Sequence, residues 1–370
     1  MLKGKKIVVV ATTDNMIWQF LIPHIKHLKE MGNDVEIVCA KTGFWFDELR
    51  DKYNFVVHNI EFTRNPISLK NLKGFKKLVK LQKEKHYDLV YCQQPVGGVM
   101  GRKLAKKFKL PCIYTAHGFH FFRGCPLVNK LVYKPIEKHY SRYTTALITI
   151  NEEDYLSAQK FHAKKAYKIN GIGFDNSKYT NPIVGKSQMR KNLGLKDSDF
   201  VICTVAEFIK RKNYETVIET LSKLDDKFKL VCCGRGVLLN KIKIKAEKLG
   251  LNDRILFLGF RNDVNNIMMM SDAFFLPSYQ EGLTLSIIEA LNFGLPIVTS
   301  NVRGNRDLVK DGVGGFICEP DDSSSFAERI SRLSNSKELS ESFGAHNKAE
   351  SVKYSIENVI KELDEIYGGI

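Results

Sequence analysis

Two carboxylates eight residues apart, Glu281 and Glu289, stand in the string EGLTLSIIE at 281–289. Such a pair can accept hydrogen bonds from two separate hydroxyl-bearing parts of one ligand. Gly282 lets the backbone approach a ligand closely, and the free N–H groups around Leu283 and Thr284, where a helix begins, suit an anion. A phosphate between two hydroxylated groups describes a nucleotide-sugar. On spacing alone, the same residues also read as a solvated glutamate at a helix cap and an exposed one along the helix.

The flanking sequence supplies elements to hold the pair. DAFFLPS (272–278) reads as a buried strand ending in a turn, and 284–292 as a helix whose N-terminus faces the carboxyl end of that strand. In the first half, 7–11, 35–40, 55–60, 88–93, 112–117 and 146–151 read as strands, with helical stretches such as 18–31 and 68–85 between them. The alternation restarts after GIGFDNSKYTNP (171–182), a polar, turn-rich linker candidate. A second series of strands follows at 201–208, 229–234, 254–260, 273–278, 296–301 and 315–320. Helices are expected at 213–223, 237–249, 284–293 and 322–334, and the stretch 337–368 reads as helix alone. Most strands are unbroken apolar runs, as in parallel sheets covered on both faces. The fold class is therefore α/β, with two Rossmann-like, doubly wound domains facing across a cleft. Ligands of such sheets bind at the carboxyl ends of the strands.

Composition narrows the class further. The chain has 370 residues, 44% of them hydrophobic and 26% charged, as in a soluble globular protein with room for two cores. The apolar run IVVVA after MLKGKK is too short for a signal-peptide core or a membrane span. Eight cysteines without a CxxC pair point to reduced, buried thiols in the cytosol, and no zinc-type Cys/His spacing occurs. The net charge of +16 is uneven. Residues 1–180 hold 31 Lys+Arg against 15 Asp+Glu, leaving 26 of each from the chain's 57 and 41. A strongly basic first half implies an anionic partner or surface. Between Arg64 and Lys109, helical segments carry Lys70, Lys73, Lys76, Lys77, Lys80, Arg102 and Lys103 among others, a density that suits anionic lipid headgroups. Solvated helix faces are the alternative account.

The stretch from Arg254 to Pro320 closely resembles the donor half of family 4 glycosyltransferases, retaining enzymes with the GT-B fold. The matching strings are RILFLGF (254–260), SDAFFLPSYQEGLTLSIIEAL (271–291), GLPIVTSNVRG (294–304) and VKDGVGGFICEPDD (309–322). Upstream, YTAHGFHFFRG (114–124) and ALITINEEDY (146–155) resemble the acceptor half of exopolysaccharide- and capsule-assembly members. The resemblance implies an acceptor domain of residues 1–177 with about 353–370, where a terminal helix crosses back, and a donor domain of 178–352. It assigns Glu281 to hydroxyls of the transferred sugar, Glu289 to the ribose, and the backbone of Gly282, Leu283 and Thr284 to sugar and diphosphate. Lys212, in EFIKRKN (207–213), matches the lysine that neutralises the diphosphate. Many members carry arginine five positions earlier; this chain has Glu207, so Lys210 or Arg211 is expected to supply charge. Gly234 lies in a glycine-rich turn beside the nucleotide, and Arg261 near the base, read as uridine by analogy. His117 is implied near the transferred sugar as a neutral imidazole, and His120 as a packing residue among phenylalanines. The segment TTDNMIWQF (12–20) is expected to be a loop whose Asn15, Met16 and Trp18 meet the acceptor or membrane, unless it starts a helix packed on the sheet.

Retention needs no protein nucleophile, because the β-phosphate of the departing diphosphate can take the acceptor's proton on the same face. The only Asp-x-Asp string, at 197–199, reads as a turn before a strand, so neither a metal nor a cofactor beyond the nucleotide-sugar is expected. The expected activity is transfer of a hexose or N-acetylhexosamine from a UDP-sugar to a lipid-diphosphate-linked saccharide in cell-surface polysaccharide assembly. The enzyme would work peripherally on the anionic inner face of the cell membrane. A soluble transferase for a small-molecule or protein acceptor is the second reading. A basic nucleic-acid-binding protein is the third, and no recognisable nucleic-acid module supports it.

Overall fold

A computed structural model of the chain describes residues 2–43, 45–66, 68–175 and 184–370. The chain forms two compact units, Met1–Gly173 with Ile356–Ile370, and Phe174–Ser355. The expected crossover at 177/178, and most of the linker candidate, fall outside the described residues.

The first unit is a seven-stranded parallel sheet in the order β3-β2-β1-β4-β5-β6-β7. Its strands are β1 (Lys6–Thr13), β2 (Asp34–Ala40), β3 (Val56–Asn59), β4 (Leu89–Gln93), β5 (Cys112–Ala116), β6 (Ala146–Thr149) and β7 (Lys165–Lys168). The central strands are buried along almost their whole length, which only an apolar run with no exposed face tolerates. The terminal helix Ile356–Gly368 packs in this unit, where Asp364 bonds His27 at 2.6 Å and Glu362 accepts the backbone N–H of Asn170 at 2.8 Å.

The second unit repeats the plan with six parallel strands in the order β10-β9-β8-β11-β12-β13. These are β8 (Phe200–Val205), β9 (Phe228–Cys233), β10 (Ile255–Gly259), β11 (Ala273–Leu276), β12 (Ile297–Ser300) and β13 (Gly315–Cys318). Successive residues turn to opposite faces, so Ile202, Cys232, Phe275 and Val298 join one apolar layer and Val201, Val231, Phe274 and Ile297 the other. In both sheets the chain order reverses between two neighbouring strands, β1 and β4 in the first and β8 and β11 in the second. The loops leaving those pairs diverge and leave a crevice at the carboxyl ends.

One open alternative is decided and one expectation needs correcting. The segment after β1 is not a loop: Asp14–Met16 is helical, continues through a wider π turn at Ile17–Leu21, and runs into the helix Ile22–Glu30. No glycine or proline interrupts the first turns, and Met16 and Ile17 are buried, so burial on the sheet decides the conformation. Arg102 does not belong to the exposed basic set. It is fully buried on the helix Pro95–Phe108, 2.8 Å from Glu137 and 3.9 Å above the ring of Tyr114. All eight cysteines are buried and free. Among the described residues, no helix is long and apolar enough to cross a membrane.

Candidate functional site

In the second unit the reversal between β8 and β11 brings two distant loops together. The loop after β8 turns through a short 3-10 segment, Lys210–Lys212, closed by Asn213 in the left-handed region. Asn213 donates from its amide to the carbonyls of Pro277 and Pro320, pinning this loop to those that follow β11 and β13. Lys212 is thereby buried, and its Nζ lies 2.5 Å from Oε1 of the equally buried Glu281. Arg211 reaches the other carboxylate oxygen at 3.1 Å. Arg303, also buried, donates from Nε to the main-chain oxygen of Glu281 at 3.0 Å. Burial pushes the Lys212 pKa below the ordinary lysine value, Glu281 opposes that shift, and Arg211 adds to it. Glu207 stands 3.9 Å from Arg211, largely in solvent, and draws on the same guanidinium.

Gly282, Leu283 and Thr284 form the turn from β11 into the helix Leu285–Asn292, with Thr284 as its N-terminal cap. A polar ladder holds this turn: Thr284 donates to Asn305, whose amide donates to Thr299 and Ser300 at the end of β12. Gly304 is required there. Its φ is +80°, and a Cβ would stand 2.4 Å from the carbonyl oxygen of Gly282. Glu289 is buried on the same helix, about two turns beyond Glu281. Gly234 follows β9 at φ +149°, where a Cβ would meet the oxygen of Ala206 at 1.9 Å, so this glycine lets the loops after β8 and β9 lie against each other. Arg261 follows β10 at the sheet edge and is bidentate to Asp263 at 2.6 and 2.5 Å. Among the described residues, no hydrogen bond joins it to the Lys212–Glu281 cluster.

In the first unit His117 follows β5, and its Nε2 donates to Oε1 of Gln93 at the end of β4, at 2.7 Å. Burial of the ring lowers its pKa to about 3, His24 adding in the same direction, so the imidazole is neutral at physiological pH. Its Nδ1 and the Nε2 of the fully buried Gln93 have no partner among the described residues. His24 donates to the carbonyl of Ile172 at 2.6 Å and is lowered to about 4, chiefly by burial. His120 is more than packing: its ring lies tilted against Tyr133 with centres 4.6 Å apart, and both line a cavity of about 240 Å³ with Thr12, Arg64, Gln94 and Pro95. That cavity lies at the β1/β4 reversal, where Gly97 N–H donates to Thr12.

The remaining expected contacts separate. Met16 is buried and unavailable to an acceptor or a membrane. Trp18 packs at a tilt on Trp45 with ring centres 3.7 Å apart and donates to Glu48, and Asn15 bonds Asp14 through its backbone N–H. Lys73 and Lys77 are exposed on the helix Leu69–Lys85. Sequence reasoning assigned no site role to Arg303, Arg64, Gln94 or Tyr133, although Arg303 stands in the string GLPIVTSNVRG; only the fold brings them to the two crevices.

Residues 185–350 match the model for glycosyl transferases group 1, and residues 6–151 the glycosyl transferase 4-like model. EpsD of Bacillus subtilis is 33% identical over 373 residues, covering 98% of this chain and 96% of its own. The Escherichia coli UDP-Gal:α-D-GlcNAc-diphosphoundecaprenol α-1,3-galactosyltransferase is 34% identical over 347 residues, covering 90% of this chain and 87% of its own. Among solved structures, Anabaena HepE in complex with UDP and glucose superposes with a TM-score of 0.84 at 20% identity, covering 99% of this chain and all of that one. With relatives at this identity across nearly its whole length, and with two reversed parallel sheets, the chain belongs to the family 4 glycosyltransferases of the GT-B fold.

Proposed function

We propose that the protein transfers a sugar from a nucleoside-diphosphate sugar, UDP-linked, to a lipid-diphosphate-linked saccharide, with retention of configuration. The observation that carries this reading is the buried Lys212–Glu281 pair, with Arg211 and the capped turn at Gly282–Thr284, at the β8/β11 reversal. Lys212 and Arg211 meet the diphosphate, and the N–H groups of the turn add donors at a helix start. Glu281, fixed through its carboxylate and its main chain, is oriented toward the hydroxyls of the sugar, and Glu289 takes the ribose. Support for the substrates comes from the E. coli relative, whose name specifies a UDP-sugar donor and a diphosphoundecaprenol acceptor.

As the C–O bond to the diphosphate breaks, negative charge develops on the leaving oxygen, and Lys212 stabilises it. The acceptor's hydroxyl oxygen bonds to the anomeric carbon on the face that the diphosphate leaves, and the β-phosphate oxygen takes its proton. No metal enters this scheme. His117, held neutral by burial and oriented by Gln93, is the imidazole assigned to a sugar hydroxyl. The first unit presents the acceptor, and the enzyme works peripherally at the inner membrane surface. A panel of UDP- and GDP-sugars, incubated in EDTA with a saccharide on a short prenyl diphosphate, tests the scheme by product mass. A product with one UDP-sugar supports it; product only after adding a divalent metal removes the metal-free mechanism, and product only with GDP-sugars removes the uridine assignment.

A further inference from the structure

The helix Leu127–Ser141 has its polarity reversed. Its one acid, Glu137, faces inward, 2.8 Å from the buried Arg102 and 3.1 Å from the hydroxyl of Tyr114. Its outward face begins with Leu127, Val128, Leu131 and Val132, which are 69%, 61%, 67% and 44% exposed. At 100° per residue these four positions fall within one stripe about 140° wide. Lys130, Lys134 and Lys138, each four residues from the last, run along one margin of it, all exposed. A second apolar point lies at the start of the helix Leu69–Lys85, where Leu69 and Leu72 are 72% and 51% exposed. The two elements are linked through one cavity: Arg64 and Pro66, just ahead of Leu69, line it together with Tyr133 of the reversed helix.

A contiguous face of large aliphatic side chains in water is costly, and on soluble proteins it marks a contact surface. An apolar stripe edged by lysines and free of outward carboxylates has the charge complement of an anionic bilayer: aliphatic groups enter the acyl boundary while the lysine stems carry their charges up to the phosphates. We propose that Leu127, Val128, Leu131 and Val132 form the wedge by which this protein enters a membrane surface, with Leu69 and Leu72 as a second point beside the cavity. This deepens the reading of a lipid-linked acceptor and rests on it for its purpose, since a wedge at that cavity would admit a ligand whose tail stays in the bilayer. Attachment is then apolar as well as electrostatic, and the lysines of the Leu69–Lys85 helix alone are not sufficient.

The test is flotation of the full chain with phosphatidylcholine vesicles, with and without phosphatidylglycerol, at low and high salt. The double variant Leu127→Ser/Leu131→Ser should lower the partition coefficient at least about tenfold on both vesicle types, leucine burial being the dominant contribution removed. Wild-type binding should survive high salt in part, while the residual binding of the variant should be abolished by it. UDP affinity and melting temperature should be unchanged, because both leucines are exposed. Vesicle binding equal to wild type in the double variant, or no wild-type binding at all, overturns the wedge. So does a wild-type dimer that the substitutions dissociate while vesicle binding persists, since a second copy would then cover the stripe. Transfer to a lipid-linked saccharide, measured separately, keeps the two claims apart: its absence with vesicle binding intact rejects the acceptor and leaves the wedge standing.

Discussion

Replacing Lys212 with alanine separates a diphosphate site from a mere structural ion pair. The ammonium is buried 2.5 Å from Glu281, so its charge acts where solvent screens it least. Removing a charge-assisted hydrogen bond of this kind costs about 1.5–3 kcal/mol, or roughly 10- to 150-fold in affinity. Glu281 would keep only Arg211, at 3.1 Å on a partly exposed guanidinium, and its less balanced charge would further repel a phosphate. The dissociation constant for UDP should therefore rise by that factor or more, and that for uridine by less than about twofold, as read by calorimetry. Lys212→Arg should recover part of the loss, because it keeps the charge but not the compact geometry. Equal weakening of UDP and uridine would mean that Lys212 merely supports the loop, and unchanged UDP binding would remove it from the site.

Other expectations follow from the same contacts. Glu207→Gln should tighten UDP binding, by less than about fivefold, since its hold on Arg211 is long and solvent-screened; weaker binding would show that Glu207 assists the ligand. Glu137→Ala should destabilise the first unit by about 3–5 kcal/mol in urea unfolding by stranding Arg102, and adding Arg102→Met should restore part of it. A loss below about 1 kcal/mol would contradict the pair's role. His24 has a folded pKa near 4, below its unfolded value, so its contribution is fully present above about pH 6.5 and is lost as pH falls toward 4. The first unit should lose about 2 kcal/mol from this group between pH 7 and pH 5, and His24→Gln should remove that part of the pH dependence.

Much of the fold was legible because parallel strands buried on both faces are unbroken apolar runs: β1, β4, β9 and β11 read directly as IVVVA, DLVYCQ, KLVCCG and AFFLPS. Edge strand β7, KAYK, gives no such signal, since two of its four residues are exposed or half-exposed lysines. The helix Leu127–Ser141 hides for a different reason: four of its five aliphatic residues face outward and Pro135 stands inside it, so the apolar pattern points away from the core. At the site, Glu281, Glu289 and Lys212 could be named from their strings, but not the bond between two of them. Sixty-nine residues separate Lys212 from Glu281, and only the strand reversal closes that distance. Arg303 acts through a main-chain oxygen, a contact that no residue pattern encodes.

The most direct measurement is the anomeric configuration of the product formed from an α-linked UDP-sugar and a prenyl-diphosphate saccharide, read from its one-bond C–H coupling by NMR. An α-linked product with UDP released in equal amount is expected. A β-linked product would contradict the same-face mechanism in which the leaving diphosphate, held at Lys212, takes the proton of the acceptor.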